Sequence, residues 1–398
     1  MKKNNWLFLA IAAHGKGISG GDRIFIEFAR RWSSLVNIKL VLWEEGYEMC
    51  QRQKLKPVKN RTFEILPLEK WNWLGFNISY LVRIIYAVLW SVKTDVKQYQ
   101  MIYTASEFWM DVFPAVIIKL KNQNIKWTAS WYQTAPNPFI GYSTNPTVKR
   151  YRFKALIYWL IQQPTKWLIA NLADFVLVNN EQEKRTFPRH LKQKMISVVY
   201  GAVDKQKIDS YKISKHSKKL YDAVFQGRFH PQKGVEELVD IWKLVCKKRH
   251  DSTLCMIGDG PLMEKVKLKI KENNLDKNII LKGFVFDGKD KYQIFSESKL
   301  VVHPSLFDSG GMASSEAMIF GIPVIGYDLP SFQTYYPKGM VTVPVGNKKL
   351  FSKICLDLLN NFYKRKRIGN EGKEFIIKNR LWDHICQDIF SNISVVYK

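Results

Sequence analysis

The stretch His303-Pro-Ser-Leu-Phe-Asp308-Ser-Gly310-Gly311-Met-Ala-Ser-Ser-Glu316-Ala-Met-Ile-Phe-Gly321-Ile-Pro323-Val-Ile-Gly-Tyr-Asp328 decides how the chain is read. Val301 and Val302 end an apolar run with the look of a buried strand, and Gly310 and Gly311 loosen the backbone after it. A short helix is predicted from about Ala313 to Phe320, stopped by Gly321 before Pro323 opens the next strand. A loop that feeds a helix at the end of a parallel strand offers N–H groups and a positive dipole end to a phosphate. Glu316, early in that helix, can accept hydrogen bonds from ribose hydroxyls. Asp308, eight positions earlier, lies on the loop beside it.

Three other stretches share this strand-to-loop character. They are Phe225-Gln-Gly227-Arg228-Phe229-His230-Pro231-Gln-Lys233-Gly234, then Met256-Ile257-Gly258-Asp259-Gly260-Pro261, and Gly283-Phe284 with Tyr292 downstream. Singly, each has a plain explanation. Gly258 and Gly260 read as turn glycines, Arg228 and Lys233 as solvated charges, and Glu316 as a carboxylate favoured by a helix dipole. Their order along the chain argues for one site.

In that order the loops resemble glycosyltransferase family 4, the retaining enzymes of the GT-B fold. Its signature is Glu, seven residues, Glu, then Ala-Met, a Gly and Pro-Val; Asp308 stands at the first Glu. The resemblance covers nearly the whole chain, most specifically Val198 to Gly326. It implies an α/β fold of two Rossmann-like, doubly wound domains facing across a cleft. The implied division is 1–200 for acceptor binding, 201–380 for the nucleotide sugar, and a helix at 381–398, after Trp382-Asp383, returning to the first domain. Lys205 to Lys219 is the best linker candidate. Catalytic roles fall on Arg228, Lys233 and Asp308, the first two holding the donor diphosphate. Donor-binding roles fall on Gly20, Gly21, Gly227, Gly258, Gly260, Gly283, Phe284, Gly310, Gly311, Met312 and Glu316. Cations fixed at the diphosphate stabilise charge as the sugar–phosphate bond breaks. Arg228, Lys233 and helix N-termini can do this alone, so no metal and no resident cofactor is implied.

Nearer the N-terminus, Trp6 to Ala12 reads as a strand, His14 to Asp22 as a flexible glycine loop, and Arg23 to Trp32 as a helix. The family's Gly-Gly loop falls on Gly20-Gly21. After the strand at Lys126 to Ser130, many relatives carry a His. Here the chain reads Ser130-Trp131-Tyr132-Gln133-Thr134, so a catalytic base is not evident. A retaining transferase can do without one when the leaving phosphate takes the acceptor's proton. Tyr132 and Gln133, with His14 in support, are the acceptor candidates; burial of the aromatic pair is the alternative.

Composition fits two domains. A chain of 398 residues exceeds one ordinary core. Lys and Arg number 62 against 35 Asp and Glu, a net charge of +27. Residues 1–200 hold 29 basic and 13 acidic residues and 11 of the 13 Trp. Basic and Trp-rich together suggest peripheral contact with an anionic membrane. The candidate segments are Trp71 to Trp90, with Arg83, and Tyr151 to Trp167, with Arg152, Lys154, Trp159 and Lys166. Neither reads as a span, and core-facing amphipathic helices are the alternative. No nucleic-acid motif accompanies the charge, so no specific nucleic acid is expected. Five scattered cysteines, and an apolar N-terminal run that reads as a strand rather than a leader, fit a cytoplasmic protein.

The expectation is a nucleotide-sugar-dependent hexosyltransferase acting on a lipid-linked saccharide or cell-envelope glycan at the cytoplasmic membrane face. The alternatives are an epimerase or phosphorylase on the same fold, or a non-catalytic basic binding protein on a degenerate transferase scaffold.

Overall fold

The computed structural model describes residues 3–15, 17–143, 151–188, 195–213 and 218–396. Lys16 of the glycine loop and residues 214–217 of the linker candidate lie outside them. The chain divides into two compact units. The first takes the residues up to Ala135, Tyr158–Val199 and the chain from Asp383 on; the second takes Pro136–Ile157 and Tyr200–Trp382.

The first unit's sheet is built from β1 (Asn5–Leu9), β2 (Asn37–Trp43), β3 (Arg61–Leu66), β4 (Met101–Thr104), β5 (Lys126–Trp131), β6 (Phe175–Val178) and β7 (Ile196–Val198). Their order is β3-β2-β1-β4-β5-β6-β7. The second unit's sheet holds β8 (Tyr221–Gln226), β9 (Leu254–Ile257), β10 (Ile279–Gly283), β11 (Ser298–His303), β12 (Val324–Tyr327) and β13 (Met340–Val343), in the order β10-β9-β8-β11-β12-β13. All these strand pairings are parallel. Parallel strands are covered by helices on both faces, which is why runs such as Phe-Val-Leu-Val in β6 are wholly apolar and buried. Two Rossmann-like, doubly wound α/β units result.

In each sheet the strand order reverses once, between β1 and β4 in the first and between β8 and β11 in the second. Loops leaving two such strands diverge to opposite faces and open a crevice at their C-terminal ends. Helix Gly20–Trp32 starts three residues before the expected Arg23. Ser19 caps it, accepting from the Asp22 N–H while the Asp22 carboxylate accepts from the Ser19 N–H. Gly20 and Gly21 are therefore helical, not loop. In the linker candidate, Lys205–Ser210 is a helix capped by Asp204 with Ile208 buried beneath it. From Asp383 the chain lies against the first unit's aromatic core. There Phe390 stacks on Trp6 at 5.3 Å and the Trp32 indole donates to the Cys386 carbonyl at 2.9 Å.

Asp111, on helix Trp109–Lys121, ties the end of β1 to the segment after β4. Its carboxylate accepts from the Ile11 N–H at 2.7 Å, the Ala12 N–H at 3.1 Å and the Ser106 hydroxyl. Removing it leaves those donors without their partner. Asp111→Ala is expected to cost about 2–4 kcal/mol in urea unfolding. A loss below about 0.5 kcal/mol, the scale of an ordinary surface change, would show that solvent replaces the carboxylate.

Candidate active site

The second unit's switch point brings together the loops after β8 and β11. Gly234 makes the closest approach. It adopts φ 64°, and a Cβ there would fall 1.9 Å from the Pro304 carbonyl oxygen. This proximity lets Lys233 form an ion pair with Asp308. The same carboxylate lies 3.1 Å from His303 Nε2 and accepts from the Ser305 hydroxyl at 3.2 Å and from the Gly310 and Gly311 N–H groups at 3.2 and 3.0 Å. Burial alone would raise the Asp308 pKa, but Lys233 and His303 hold it well below the usual carboxylate range. The Gly310 and Gly311 N–H groups thus both face Asp308, whose side chain is only 7% exposed.

Arg228 is exposed at the mouth of the same crevice. Between it and Lys233 lies His230, which caps the short helical turn Pro231–Lys233. Burial, then the charges of Arg228, Lys154 and Lys233, push the His230 pKa down to about 4. A neutral imidazole held among cations marks a region of positive potential suited to an anion.

Glu316 sits in helix Met312–Met318 and is buried. It joins a charged cluster, in which Lys291 Nζ donates to Glu316 at 2.8 Å and to Asp287 at 2.5 Å. The Tyr292 hydroxyl lies 3.1 Å from Asp287 and 3.2 Å from Glu316, and Lys207 reaches Asp287 at 3.3 Å. Asp287 and Lys291 were missed from sequence. Their i, i+4 spacing beside Tyr292 was the available signal. Gly283 stands in open surroundings, and Phe284 is exposed with its ring edge-on to Phe286 at 4.9 Å. Gly258 is required by close approach, since a Cβ would meet the Gly227 carbonyl at 1.9 Å. Gly260 lies against the Phe229 backbone, and Met312 fills the space over Gly201.

The first unit presents a separate set at its own switch point. His14 is exposed, with Nδ1 3.0 Å from the Ala12 carbonyl. Tyr132 is buried, its hydroxyl 3.0 Å from that of Tyr103 and 2.9 Å from that of Ser130. Its ring backs Gly21, where a Cβ would come within 3.1 Å of it. Gln133 is half-buried and its carbonyl accepts from Gln162 at 2.8 Å. Glu107, just past β4, was not singled out from sequence, because an isolated Glu between Ser106 and Phe108 has no pattern. Burial pushes its carboxyl up to about 7.

The membrane candidates are also redistributed. Arg83 is buried, with its guanidinium 3.5 Å from the Trp43 ring centroid. Lys166 is half-buried, 5.7 Å from the Trp131 ring centroid. Of the first unit's indoles, Trp6, Trp32, Trp43, Trp127 and Trp131 belong to the core. Helix Phe76–Lys93 nonetheless exposes Ile78, Leu81, Ile85, Leu89 and Val92, one stripe at helical spacing, next to the exposed Trp73. No described helix is long and apolar enough to cross a membrane.

Residues 206–375 match the family Glycosyl transferases group 1. Among solved structures, Anabaena HepE in complex with UDP-glucose superposes with a TM-score of 0.71 at 15% identity, covering 98% of this chain and 99% of that one. A point mutant of Staphylococcus aureus TarM in complex with UDP gives a TM-score of 0.69 at 14% identity, over 98% and 99%. The fold is GT-B. In sequence the chain is 29% identical over 164 residues to poly(ribitol-phosphate) alpha-N-acetylglucosaminyltransferase of Staphylococcus aureus, which is 40% of this chain and 33% of that protein. It is 30% identical over 157 residues to poly(glycerol-phosphate) alpha-glucosyltransferase of Bacillus subtilis, 39% of this chain and 21% of that protein. The match therefore spans a third or less of these two relatives.

His230 provides a spectroscopic check on the site. An anion bound among Arg228, Lys154 and Lys233 offsets their field, so adding a nucleoside diphosphate is expected to move the His230 titration upward from about 4. Without ligand, the depressed pKa means the unfolded chain binds the extra proton first, so stability falls as pH drops from the ordinary 6.5 toward 4. Histidine-selective NMR reads the midpoint. A midpoint that stays put on saturation with ligand would move the anion elsewhere.

Proposed function

We propose that the chain is a retaining glycosyltransferase of family 4 that moves a hexosyl group from a nucleoside-diphosphate sugar to a hydroxyl of a cell-envelope glycan or lipid-linked saccharide. The observation that carries the reading is the convergence at one switch point of Arg228, Lys233 and, on the neighbouring helix, Glu316. That is the equipment for a diphosphate and a ribose. Support also comes from the UDP and UDP-glucose complexes of structures with the same fold.

On this reading Glu316, steadied by Lys291, accepts from the ribose hydroxyls, and Arg228 and Lys233 face the diphosphate. The bond between the anomeric carbon and the diphosphate oxygen breaks as the acceptor oxygen bonds to the same face of that carbon. The acceptor's proton leaves on the departing phosphate, so no enzymic base is required. Retention follows the family resemblance and is in keeping with the alpha transfer named for two relatives. The cations are worth most when the diphosphate has taken the full negative charge. Those relatives are named for poly(ribitol-phosphate) and poly(glycerol-phosphate). An anionic acceptor polymer of that chemistry suits a chain with net charge +27.

Arg228→Ala is expected to lower kcat by about 10²–10³ while raising the donor KM less, because the lost contact strengthens with developing charge. Binding of UDP, which already carries that charge, should weaken more than binding of the donor. Steady-state kinetics with a panel of nucleotide sugars measures this. An unchanged kcat with a raised KM would reduce Arg228 to a contact made equally in the ground state.

The acceptor side is proposed to meet an anionic cytoplasmic membrane surface through the apolar stripe of helix Phe76–Lys93, which has Lys70 before it and Lys93 at its end. Co-sedimentation with anionic vesicles at low salt is expected, with loss on neutral vesicles and on Ile85→Glu with Leu89→Glu. A protein that stays in the supernatant with every lipid composition would make the acceptor a soluble glycan.

A further inference from the structure

Pro136–Ile157 follows β5 of the first sheet in sequence, yet it groups with the second unit. Within its described residues, two aromatic side chains fasten it there. Tyr142 is buried, with its ring edge-on to His230 at 6.2 Å and to Phe307 at 5.8 Å. His230 belongs to the loop after β8, and Phe307 precedes Asp308 on the loop after β11. One tyrosine ring thus touches both loops of the diphosphate site. Tyr151, in the left-handed region at φ 48°, bonds through its hydroxyl to Glu236 at 3.2 Å, in the first turn of helix Val235–Cys246. A non-glycine residue keeps that conformation only where surrounding contacts impose it.

Lys154 follows Tyr151 by three residues, its ammonium 5.9 Å from the Tyr151 ring centroid. Its charge reaches His230 together with those of Arg228 and Lys233. Lys233 is already paired with Asp308, whereas Arg228 and Lys154 form no ion pair among the described residues. A released nucleoside diphosphate carries more negative charge than Arg228 and a half-neutralised Lys233 offset. We propose that Lys154 is a third cation of the diphosphate site, held beside it by Tyr151 at the start of helix Arg152–Leu172. This rests on the reading of the loops after β8 and β11 as a nucleotide-sugar site. It also gives the site a residue from a part of the sequence outside the matched 206–375 region.

The test is calorimetric binding of UDP, GDP and inorganic pyrophosphate to the full chain and to the K154A, K154R and R228A variants. Lys154 is exposed, so neither replacement disturbs a core. K154A is expected to weaken the preferred diphosphate by about 5–10-fold, with most of the affinity retained in K154R. The deficit should shrink at high salt, because the contact is electrostatic. If R228A weakens binding and K154A does not, Lys154 is no part of the site while the nucleotide-sugar reading stands. If K154A instead loses only binding to anionic vesicles, Lys154 belongs to the membrane surface and the proposal is overturned. If the parent protein binds none of the three probes, the nucleotide-sugar reading itself fails and this proposal falls with it.

Discussion

The ion pair between Lys233 and Asp308 is the contact on which the second unit's site depends. Two loops that leave adjacent parallel strands would otherwise diverge, because a doubly wound sheet sends them to opposite faces. Asp308 draws them together, taking Lys233 from one loop and His303 and two backbone N–H groups from the other. A buried pair of this kind costs desolvation on both sides, and its net stabilisation is small. Its value is geometric. It fixes Lys233 between loops that the Leu306 and Phe307 N–H groups also join, by donating to the Gln232 carbonyl at 2.8 and 3.2 Å.

Charge is distributed unevenly around that pair. Lys233 is neutralised locally, and Lys291 and Lys207 are neutralised against Asp287 and Glu316. Arg228 and Lys154 are left without a carboxylate partner among the described residues, and burial first, then the charges of Arg228, Lys154 and Lys233, keep His230 neutral. The large net charge therefore divides into two kinds. Some cations are structural partners of buried carboxylates, and others create a field that only a ligand can offset.

Much of this was legible in the sequence because parallel sheets impose a strict grammar. Buried strands must be apolar throughout, and switch-point loops must carry glycine where backbones cross, as Gly258 crosses Gly227. The order of four such loops pointed to one candidate site in the second unit. Partnerships between distant residues were not legible. Nothing local in Ser-Glu107-Phe marks a carboxyl held near neutrality, and nothing in Lys154 tells a membrane-facing cation from one beside His230. Tryptophan was ambiguous for a similar reason. An indole is as suited to filling a core as to resting at a lipid interface, and five of the first unit's eleven fill the core. Arg83 was ambiguous in the same way, since an arginine on an amphipathic helix can face lipid phosphate or lie over a buried ring, as it does over Trp43.

Asp308 also bears on how a donor sugar is held. The signature that these loops resemble carries a Glu, one methylene longer than this Asp, and the shorter side chain is drawn back to Lys233 and His303 with little surface left exposed. On the nucleotide-sugar reading, the carboxylate then acts on the sugar indirectly, by fixing the backbone of Gly310 and Gly311 and by orienting Lys233. Sugar selection shifts toward groups that line the loop without being consumed in holding it. Exposed Arg228 is one such group, and the surface of Met312 over Gly201 is another. A carboxylate committed to structure can be shortened without loss as long as the loop closes around it. Here the residues after it close the loop by placing two consecutive glycines where their N–H groups reach the shorter side chain.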